Sequence, residues 1–350
     1  MKKSLIIVLV VVLSIALLAA CSSPGTGTGT DTSTSSSGSS GGGATTAASS
    51  DIVFGNALWS RSDVWNSHSS DAFEYAASQV GATPLIVECQ YDMEMQVNAI
   101  QDFINQNVDG ISFFQITPEL SFDLGEMCAA AGIPMVVENA APKDGTQMIS
   151  WAGYDYGVLG YECGVFMSET WPGKTVLLVM GALGMGMIED WEREFDRAVA
   201  DMGNVITVAE NGRLYTDWAT EKAMNVTQDF IQSGRDFDAL FAQNGQMYMG
   251  CMSALKDAGL HGNIVTMSEG GNPQELDWIR AGDLTQCLSI LPNAQGLAVF
   301  QALWMYVHGD TPPPVYDLPY EWVTIDNVDD VYTWTDNEKL LAYLGGLKTY

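Results

Sequence analysis

The segments that decide the fold read FINQNVDGISFFQ at residues 103–115 and FIQSGRDFDALFAQ at residues 230–243. Each runs from the end of a helical pattern through a polar turn into a short apolar strand that ends in glutamine, Gln115 or Gln243. A strand–helix unit that recurs after about half the folded chain indicates two lobes of one design. Because any two such units of an α/β protein look alike, the similarity alone leaves duplication open.

Short apolar runs alternate with helical patterns along the chain from Asp51 onward. Helical patterns of about 10–15 residues between short strands are typical of parallel βαβ units. The sequence therefore predicts an α/β protein with two doubly wound, Rossmann-like lobes. The predicted strands cover residues 52–58, 84–89, 109–115, 133–138, 148–152, 174–180, 205–209, 239–242, 263–267 and 284–291, and an extended segment covers 315–325.

The first 21 residues have the pattern of an export signal. Lys2 and Lys3 precede an apolar run that ends in Leu18-Ala19-Ala20-Cys21. A basic start, an apolar centre and small residues before a cleavage point are typical of a secretory signal. The position of the cysteine resembles the bacterial lipoprotein signal, so we predict that Cys21 receives lipid and becomes the new N-terminus. A plain secretory signal and a membrane-spanning helix at the lower limit of length are the alternatives.

Residues 22–50 consist almost entirely of Ser, Thr, Gly and Ala. Such a segment has no apolar surface to bury and is typical of a flexible tether. A lipid anchor followed by a tether places the folded part beside a membrane without placing it in the membrane. We therefore predict an extracytoplasmic protein that is lipid-anchored to the cell membrane, at the cell surface or in the periplasm.

The charge and hydrophobicity of the chain exclude several classes of protein. Among 350 residues, 14 Lys and Arg stand against 43 Asp and Glu, which gives a formal net charge of −29 at pH 7. Nucleic-acid binding needs clustered Lys and Arg that this sequence lacks. Hydrophobic residues make up 47% of the chain, too many for a wholly disordered protein. A single long apolar run excludes a membrane protein with several spans.

The spacing of cysteine and histidine gives no sign of a metal or catalytic centre. Besides Cys21 there are five cysteines, an odd number without a C-x-x-C pair, and the three histidines are far apart. Zinc sites and disulfide frameworks need paired spacings that this sequence does not have. The sequence therefore predicts no metal and no cofactor, and it predicts that most cysteines are small buried apolar residues.

Candidate ligand contacts follow the predicted strands, because ligands of open parallel sheets bind beyond the carboxyl ends of the strands. Tryptophans, carboxylates and amides recur at these positions, and Trp218 is predicted to open the helix after strand 205–209. Carboxylates and amides hydrogen-bond hydroxyl groups, and aromatic rings pack against the C–H faces of a sugar. This composition favours a polyhydroxyl ligand in a cleft between two lobes. The candidates are Arg61, Trp65, Glu138, Asn139, Glu189, Trp191, Trp218, Asn244 and Glu269.

Five short motifs resemble one known family across roughly residues 52–325. The motifs are Phe241-Ala242-Gln243-Asn244, Met224-Asn225-Val226-Thr227-Gln228, Val108-Asp109-Gly110-Ile111, Ala131-Gly132-Ile133-Pro134-Met135-Val136 and Leu291-Pro292. Together they resemble the periplasmic binding proteins of sugar ABC transporters, in the ribose- and galactose-binding group. The resemblance implies a type I periplasmic binding protein fold, in which two lobes joined by three crossing strands enclose a ligand.

The resemblance also implies lobe boundaries, partners and ligand positions. Residues 51–153 with 292–312 would form the N-terminal lobe, and residues 154–291 with 313–350 the C-terminal lobe. The partners would be a sugar or sugar-like small molecule, an ABC permease and, through the lipid anchor, the membrane, with no nucleic acid. The positions at or near the ligand would be Arg61, Trp65, Glu138, Asn139, Trp218, Asn244 and Glu269.

The chain departs from the family pattern where arginines usually hold the sugar. Glu189 stands where the family usually has an arginine, Glu138-Asn139 stands where it has Asp-Arg, and Glu269 replaces an aspartate. The cleft is therefore expected to be acidic and aromatic. Because buried carboxylates need a partner charge and tryptophan rings attract cations, a cationic or amine-bearing ligand becomes a reasonable expectation.

Three functions fit these observations. The first is a lipid-anchored solute receptor that closes on a sugar-like molecule without chemistry and delivers it to an ABC permease. The second is a secreted glycoside hydrolase that uses two of Glu138, Glu189 and Glu269, whose carboxylates would have to lie about 5–10 Å apart. The third is a ligand sensor for a membrane kinase or chemoreceptor, which the sequence does not separate from transport.

Overall fold

The computed structural model describes residues 51–350, and the predicted signal peptide, the lipid-attachment residue Cys21 and the tether lie outside this range. Strands and helices alternate through the described chain, as predicted. The strands are β1 (Val53–Leu58), β2 (Thr83–Glu88), β3 (Gly110–Phe114), β4 (Met135–Glu138), β5 (Ser150–Ala152), β6 (Thr175–Met180), β7 (Thr207–Tyr215), β8 (Ala239–Ala242), β9 (Val265–Gly270), β10 (Gln286–Ile290) and β11 (Tyr320–Val323). The helices are α1 (Val64–Val80), α2 (Met93–Gln106), α3 (Pro118–Ala131), α4 (Tyr156–Thr170), α5 (Met187–Asp201), α6 (Thr220–Gln232), α7 (Gly245–Asp257), α8 (Pro273–Ala281), α9 (Pro292–Val307) and α10 (Asn337–Tyr343).

The first five strands form a parallel sheet in the order β2-β1-β3-β4-β5. Its central strand β3 is buried along its whole length, as expected for a parallel sheet with helices on both faces. Phe54 of β1 packs edge-to-face on Phe300 of α9, with ring centroids 5.4 Å apart. Phe113 of β3 belongs to a separate cluster with Phe103 of α2. Each face of this sheet therefore has its own apolar core.

The other six strands form a second sheet in the order β11-β10-β9-β8-β6-β7. All pairs in it are parallel except β10 with β11, which is antiparallel. β7 is longer than the predicted strand 205–209, because this edge strand continues through a polar stretch after a register shift against β6. Of the predicted extended segment 315–325, only residues 320–323 form a strand.

Three segments of chain connect the two sheets: after β5, between β10 and α9, and between α9 and β11. The side chain of Tyr154 joins all three. Its hydroxyl donates to the Pro319 carbonyl at 2.9 Å and accepts from the Leu291 backbone N–H at 2.8 Å. Helix α9 is buried along most of its length and packs on α1. The predicted two-lobed α/β fold is therefore confirmed, while the residue bounds of the lobes stay a prediction.

Side-chain caps fix the starts of several helices. Asp63, Thr117 and Asp155 each accept a backbone N–H of the first turn that follows, which satisfies a group the helix leaves unpaired. The sequence predicts helices over residues 118–131 and 273–281, and helices α3 and α8 have these bounds. Each begins at proline and ends before a glycine in the left-handed conformation.

Helix α6 begins at Thr220 and not at the predicted Trp218. Asp217 and Trp218 both have left-handed backbones, with φ angles of 52° and 63°, and they turn the chain between β7 and the helix. Trp218 is thus a loop residue, and its direction is set by tertiary contacts and not by a helical face.

All five cysteines in the described range are buried and free. Within residues 51–350 no group of three or more His, Cys, Asp or Glu is arranged to hold a metal ion. A search of the same residues finds no helix with the length and apolar character needed to span a bilayer.

Candidate ligand-binding site

A cavity of about 480 Å³ lies at the carboxyl ends of strands from both sheets. Phe114 and Asn139 line it from the ends of β3 and β4. Asn244, Glu269 and Ile290 line it from the ends of β8, β9 and β10. Because both sheets contribute strand ends, the cavity is a cleft between the sheets, where open parallel sheets bind ligands.

Aromatic side chains form much of the cavity wall. Trp65 is held by edge contacts to Tyr154 and Trp334, with ring centroids 6.1 and 5.5 Å apart. Trp59 and Tyr91 form another edge-to-face pair at 5.6 Å. Rings fixed in this way present apolar surfaces to a ligand. The aromatic residues that line the cavity are Trp59, Trp65, Tyr91, Phe114, Tyr156, Trp218 and Trp334.

The position of Trp218 depends on a close approach of two loops. Its ring lies against Gly181, at the end of β6, and a Cβ atom at that glycine would overlap the indole. The left-handed backbone of Trp218 is unusual for a bulky residue. Glycine at 181 therefore allows the indole to cover the end of β6 and line the cleft.

The charged side chains that line the cavity are all acidic. They are Asp63, Asp217, Glu269 and Glu275, and no Arg, Lys or His of residues 51–350 lines the cavity. Asp63 caps helix α1. Asp217 forms an ion pair with Lys222, outside the cavity lining, at 2.6 Å. The cleft is therefore acidic and aromatic, and two of its four acids already have local partners.

Glu269 is only 1% exposed at the carboxyl end of β9. Its Oε2 accepts a hydrogen bond from Trp191 Nε1 at 3.0 Å. Burial raises the pKa of Glu269 to about 8, the charge of Glu275 adds to the rise, and the Trp191 hydrogen bond opposes it. Near pH 7 this carboxyl group is therefore mostly protonated, and it can donate as well as accept a hydrogen bond.

Glu275 belongs to a capping box at the start of α8. Its carboxylate accepts from the Asn272 backbone N–H at 2.8 Å and from the Ser268 hydroxyl, while Asn272 Oδ1 accepts from the Glu275 backbone N–H at 3.0 Å. Burial raises the pKa of Glu275 to about 7, and these hydrogen bonds limit the rise. Both carboxylate oxygens are engaged, so Glu275 holds the turn between β9 and α8 in place.

Three buried side-chain donors of cavity-lining residues have no hydrogen-bond partner among the described residues: Trp65 Nε1, Asn139 Nδ2 and Gln243 Nε2. The side-chain amide of Gln243 is held through its other atom, because Gln243 Oε1 accepts from the Gly181 backbone N–H at 3.1 Å. A buried unpaired N–H costs about 1–3 kcal/mol. A ligand with acceptor oxygens would satisfy such donors from both sheets at once.

Five of the nine predicted contacts line the cavity: Trp65, Asn139, Trp218, Asn244 and Glu269. They come from α1, the ends of β4, β8 and β9, and the loop after β7. The side chain of Asn244 also caps α7, since its Oδ1 accepts from the backbone N–H of Met247 at 2.7 Å. These five residues are separate in sequence, and the fold brings them to one cleft.

Arg61 and Glu189 lie outside the cavity lining. The Arg61 guanidinium pairs with Asp71 at 2.5 Å and Glu74 at 3.2 Å on helix α1. Glu189 is exposed, and its Oε1 accepts from the Gly184 backbone N–H at 2.7 Å, so it stabilises the loop before α5. Both side chains follow strands as expected, but local partners hold them.

Glu138 is buried outside the cavity lining. Its carboxylate accepts hydrogen bonds from Ser69, Gln295 and Asn56, and burial raises its pKa. Of the three glutamates named in the hydrolase hypothesis, Glu269 alone lines the cavity, so the structure does not bring two of them together there.

Trp191 is fully buried and supports the cavity without lining it. Its ring is stacked on Phe195 and Phe241, with centroids 5.0 and 4.9 Å away. Its indole N–H donates to Glu269. Trp191, a predicted ligand contact, therefore lies outside the cavity lining and positions a cavity residue from the core.

Several cavity residues were not among the predicted contacts. Trp334 lies in the irregular segment after β11, and its indole N–H donates to the Ile290 carbonyl at 2.9 Å. No strand-end pattern marks it, because only the tertiary fold brings this segment back to the cleft. Asn272 had a usable signal, since Asn-Pro followed by Glu275 is a capping pattern.

Sequence comparison relates the chain to binding proteins. The model of the periplasmic binding protein domain family matches residues 54–311. A xylitol-binding protein of Mycolicibacterium smegmatis is 28% identical over 264 residues, which cover 71% of each chain. A galactofuranose-binding protein of Escherichia coli is 24% identical and covers 77% of this chain and 86% of its own.

Structural comparison gives the same fold. An ABC transporter solute-binding protein from Bacillus halodurans, solved with bound myo-inositol, superposes with a TM-score of 0.73. The match covers 81% of this chain and 98% of that protein at 20% sequence identity. At 20% identity this similarity establishes the fold and does not identify the ligand.

Proposed function

This chain belongs to the periplasmic binding protein domain family, and from that premise we propose that it captures a sugar or sugar-like molecule in the cleft and delivers it to an ABC permease. Relatives named for binding xylitol and galactofuranose support a ligand of this class. The function is capture and release, with no chemical change in the ligand.

The composition of the cleft carries this proposal. Aromatic rings line a cavity of about 480 Å³, which lies within the usual range of about 300–1,000 Å³ for small-molecule sites. Unpaired donors on Asn139 and Gln243 supply hydrogen bonds from both sheets. A polyhydroxylated ring or chain offers apolar C–H faces to the aromatic rings and oxygens to the donors.

The acidic lining restricts which sugar-like molecules bind. Four carboxyl groups line the cavity, and within the described residues no basic side chain does. A sugar phosphate or sugar acid would meet like charge without a counter-ion, so we expect such anions to be rejected. A neutral or positively charged ligand suits this lining.

Closure of the two lobes on the ligand is the expected mechanism. Three crossing segments, joined by the hydrogen bonds of Tyr154, form the connection about which the sheets can rotate. A ligand that touches both sheets favours the closed state, because it gains contacts there that the open state lacks.

We also propose that the protein works outside the cytoplasm on a lipid anchor. The sequence of residues 1–50 supports this, with an export signal that ends at Cys21 and a tether behind it. A Cys21→Ser variant should lose lipid labelling and leave the membrane fraction. Membrane retention of that variant at the wild-type level would contradict the anchor.

A thermal-shift screen of pentoses, hexoses, polyols and amino sugars tests the proposed ligand class. A true ligand stabilises the folded protein by mass action and so raises the melting temperature. At a ligand concentration of a hundred times Kd, the free energy of unfolding rises by about 2.7 kcal/mol. Small-angle scattering should show compaction with the same compound. The proposal fails if no compound of the panel stabilises or compacts the protein.

Two tryptophan variants locate the binding event. Trp218→Ala removes a ring from the cleft and should weaken binding at least about tenfold. Trp322→Ala is the matched control, because this half-buried tryptophan stacks on Phe166 at 3.9 Å and does not line the cavity. Equal loss of affinity in both variants would place the ligand elsewhere.

A further inference from the structure

We propose that Glu269 forms an ammonium-binding subsite, so that the preferred ligand is a polyol or sugar that carries a protonated amine. The inference rests on the proposed function, because it assigns a charge to the ligand of the same cleft. It also names the atom that recognises that charge, Glu269 Oε1.

Glu269 is the buried carboxyl group of the cleft that keeps an open acceptor oxygen. One oxygen, Oε2, accepts from Trp191 Nε1 at 3.0 Å, and Oε1 receives no hydrogen bond within residues 51–350. The residue is 1% exposed and lines the cavity. An ionised carboxylate so deeply buried is stable only beside a positive charge or with further donors.

The other three acids of the cavity differ from Glu269 in their hydrogen bonds or in their exposure to solvent. Glu275 accepts with both oxygens, from Ser268 and from the Asn272 backbone. Asp63 caps α1 through one oxygen and is only half-buried, and Asp217 pairs with Lys222 and is exposed, so water can solvate both carboxylates. Because no Arg, Lys or His of the described residues lines the cavity, the positive charge that suits Glu269 has to come from the ligand.

The aromatic residues of the same cavity also favour a cation. Tyr156, Trp218 and Trp334 line it together with Glu269. The faces of such rings attract ammonium groups, by about 2 kcal/mol or more when the site is desolvated. A ligand with an amine on a polyol frame would combine this attraction with hydrogen bonds to the unpaired donors of Asn139 and Gln243.

Binding of an amine should release a proton from Glu269. The titratable groups that interact with Glu269 are Glu275 of α8, and Tyr156 and Cys163 of α4, and none of them brings positive charge. Burial raises the pKa of Glu269 to about 8, so at pH 7 about nine-tenths of the molecules hold the proton. An ammonium group favours the ionised form and expels that proton, whereas a neutral hydroxyl has no such effect.

Calorimetry with a matched ligand pair tests the subsite. The probes are a straight-chain aminopolyol, protonated at pH 7, and the neutral polyol with hydroxyl in place of the amine. We expect the aminopolyol to bind at least about thirtyfold more tightly. Titrations in two buffers of different ionisation enthalpy should show release of close to one proton for the aminopolyol and none for the polyol.

Two isosteric variants assign the effect to one carboxylate. Glu269→Gln should remove both the preference for the amine and the proton release. Glu189→Gln makes the same replacement at an exposed residue outside the cavity lining and should behave as wild type. The proton count on the wild-type protein is a second test that does not depend on the folding of either variant.

The outcomes separate the subsite from the proposed function. Equal or tighter binding of the neutral polyol, or amine binding without proton release, overturns the ammonium subsite and leaves the polyol receptor standing. Retention of the amine preference in Glu269→Gln overturns the assignment to that residue. Failure of both probes and of every sugar in the screen overturns the proposed function together with the subsite.

Discussion

Replacing the buried Glu269 by glutamine should change how the stability of the protein depends on pH, with no ligand present. The folded-state pKa of Glu269 is about 8, against an ordinary value of 4.5. Between these values the folded protein holds a proton that the unfolded chain has lost. The contribution of this residue to stability is therefore fully present below pH 4.5 and declines as the pH rises towards 8.

The size of the effect follows from the same values. Each pH unit inside the window removes up to 1.36 kcal/mol, because folding must then take up a proton from solution. From pH 5 to pH 8 wild type should lose about 3 to 4 kcal/mol through Glu269. Glutamine does not titrate, so the difference in unfolding free energy between Glu269→Gln and wild type should shift by that amount in favour of the variant.

Urea unfolding followed by circular dichroism at pH 5 and pH 8 measures this shift. Taking the difference between variant and wild type cancels the titration of Glu138, which does not interact with Glu269, while the coupling between Glu275 and Glu269 remains part of the measured shift. Glu189→Gln is the control, and its difference from wild type should stay within about 0.5 kcal/mol at both pH values. The same Glu269→Gln difference at pH 5 and pH 8 would refute the assignment of a raised pKa to this residue.

Three further substitutions test how the cleft is supported. Gly181→Ala places a methyl group in the Trp218 ring, so it should weaken ligand binding measured by calorimetry without loss of helical circular dichroism. Gly160→Ala places a Cβ against the Trp191 backbone where α4 meets α5. It should lower the unfolding free energy by about 1–3 kcal/mol. An unchanged midpoint of urea unfolding would contradict this. Asn272→Ala removes the cap of α8 and should cost about 0.5–2 kcal/mol, measured as a lower melting temperature; no change would mean that the capping box contributes nothing.

Local sequence patterns predicted the elements closely, because caps, prolines and glycines act within one helical turn. The bounds 118–131 and 273–281 agree with α3 and α8 for this reason. Prediction was poorer at β7, where a polar edge strand has no apolar run to mark it. It was also poorer at Trp218, because a left-handed backbone before α6 leaves no trace in hydrophobic periodicity.

Five of the nine predicted contacts line the cavity, and the strand-end rule could not choose between neighbouring residues. Glu138 and Asn139 are adjacent at the end of β4, yet the carboxylate is bonded to Ser69 in the interior and the amide residue lines the cavity. Asn139 has a left-handed backbone, with a φ angle of 80°, so the chain turns directly after Glu138, and this turn sends one side chain to the core and the other to the cleft. That choice depends on how the strand sits in its sheet.

By itself the sequence determined the order of strands and helices, the two-lobed design, the acidic character and the aromatic residues available for binding. These follow from periodicity, capping and composition, which act over short stretches of chain. Only the tertiary structure decided which of those residues meet. Trp334 and Trp65 are far apart in sequence and pack at 5.5 Å in the cleft, and Trp191 lies in the core where it supports Glu269. The physical reason is that a binding site is built from long-range contacts, and these are fixed by the packing of both sheets and their crossing segments.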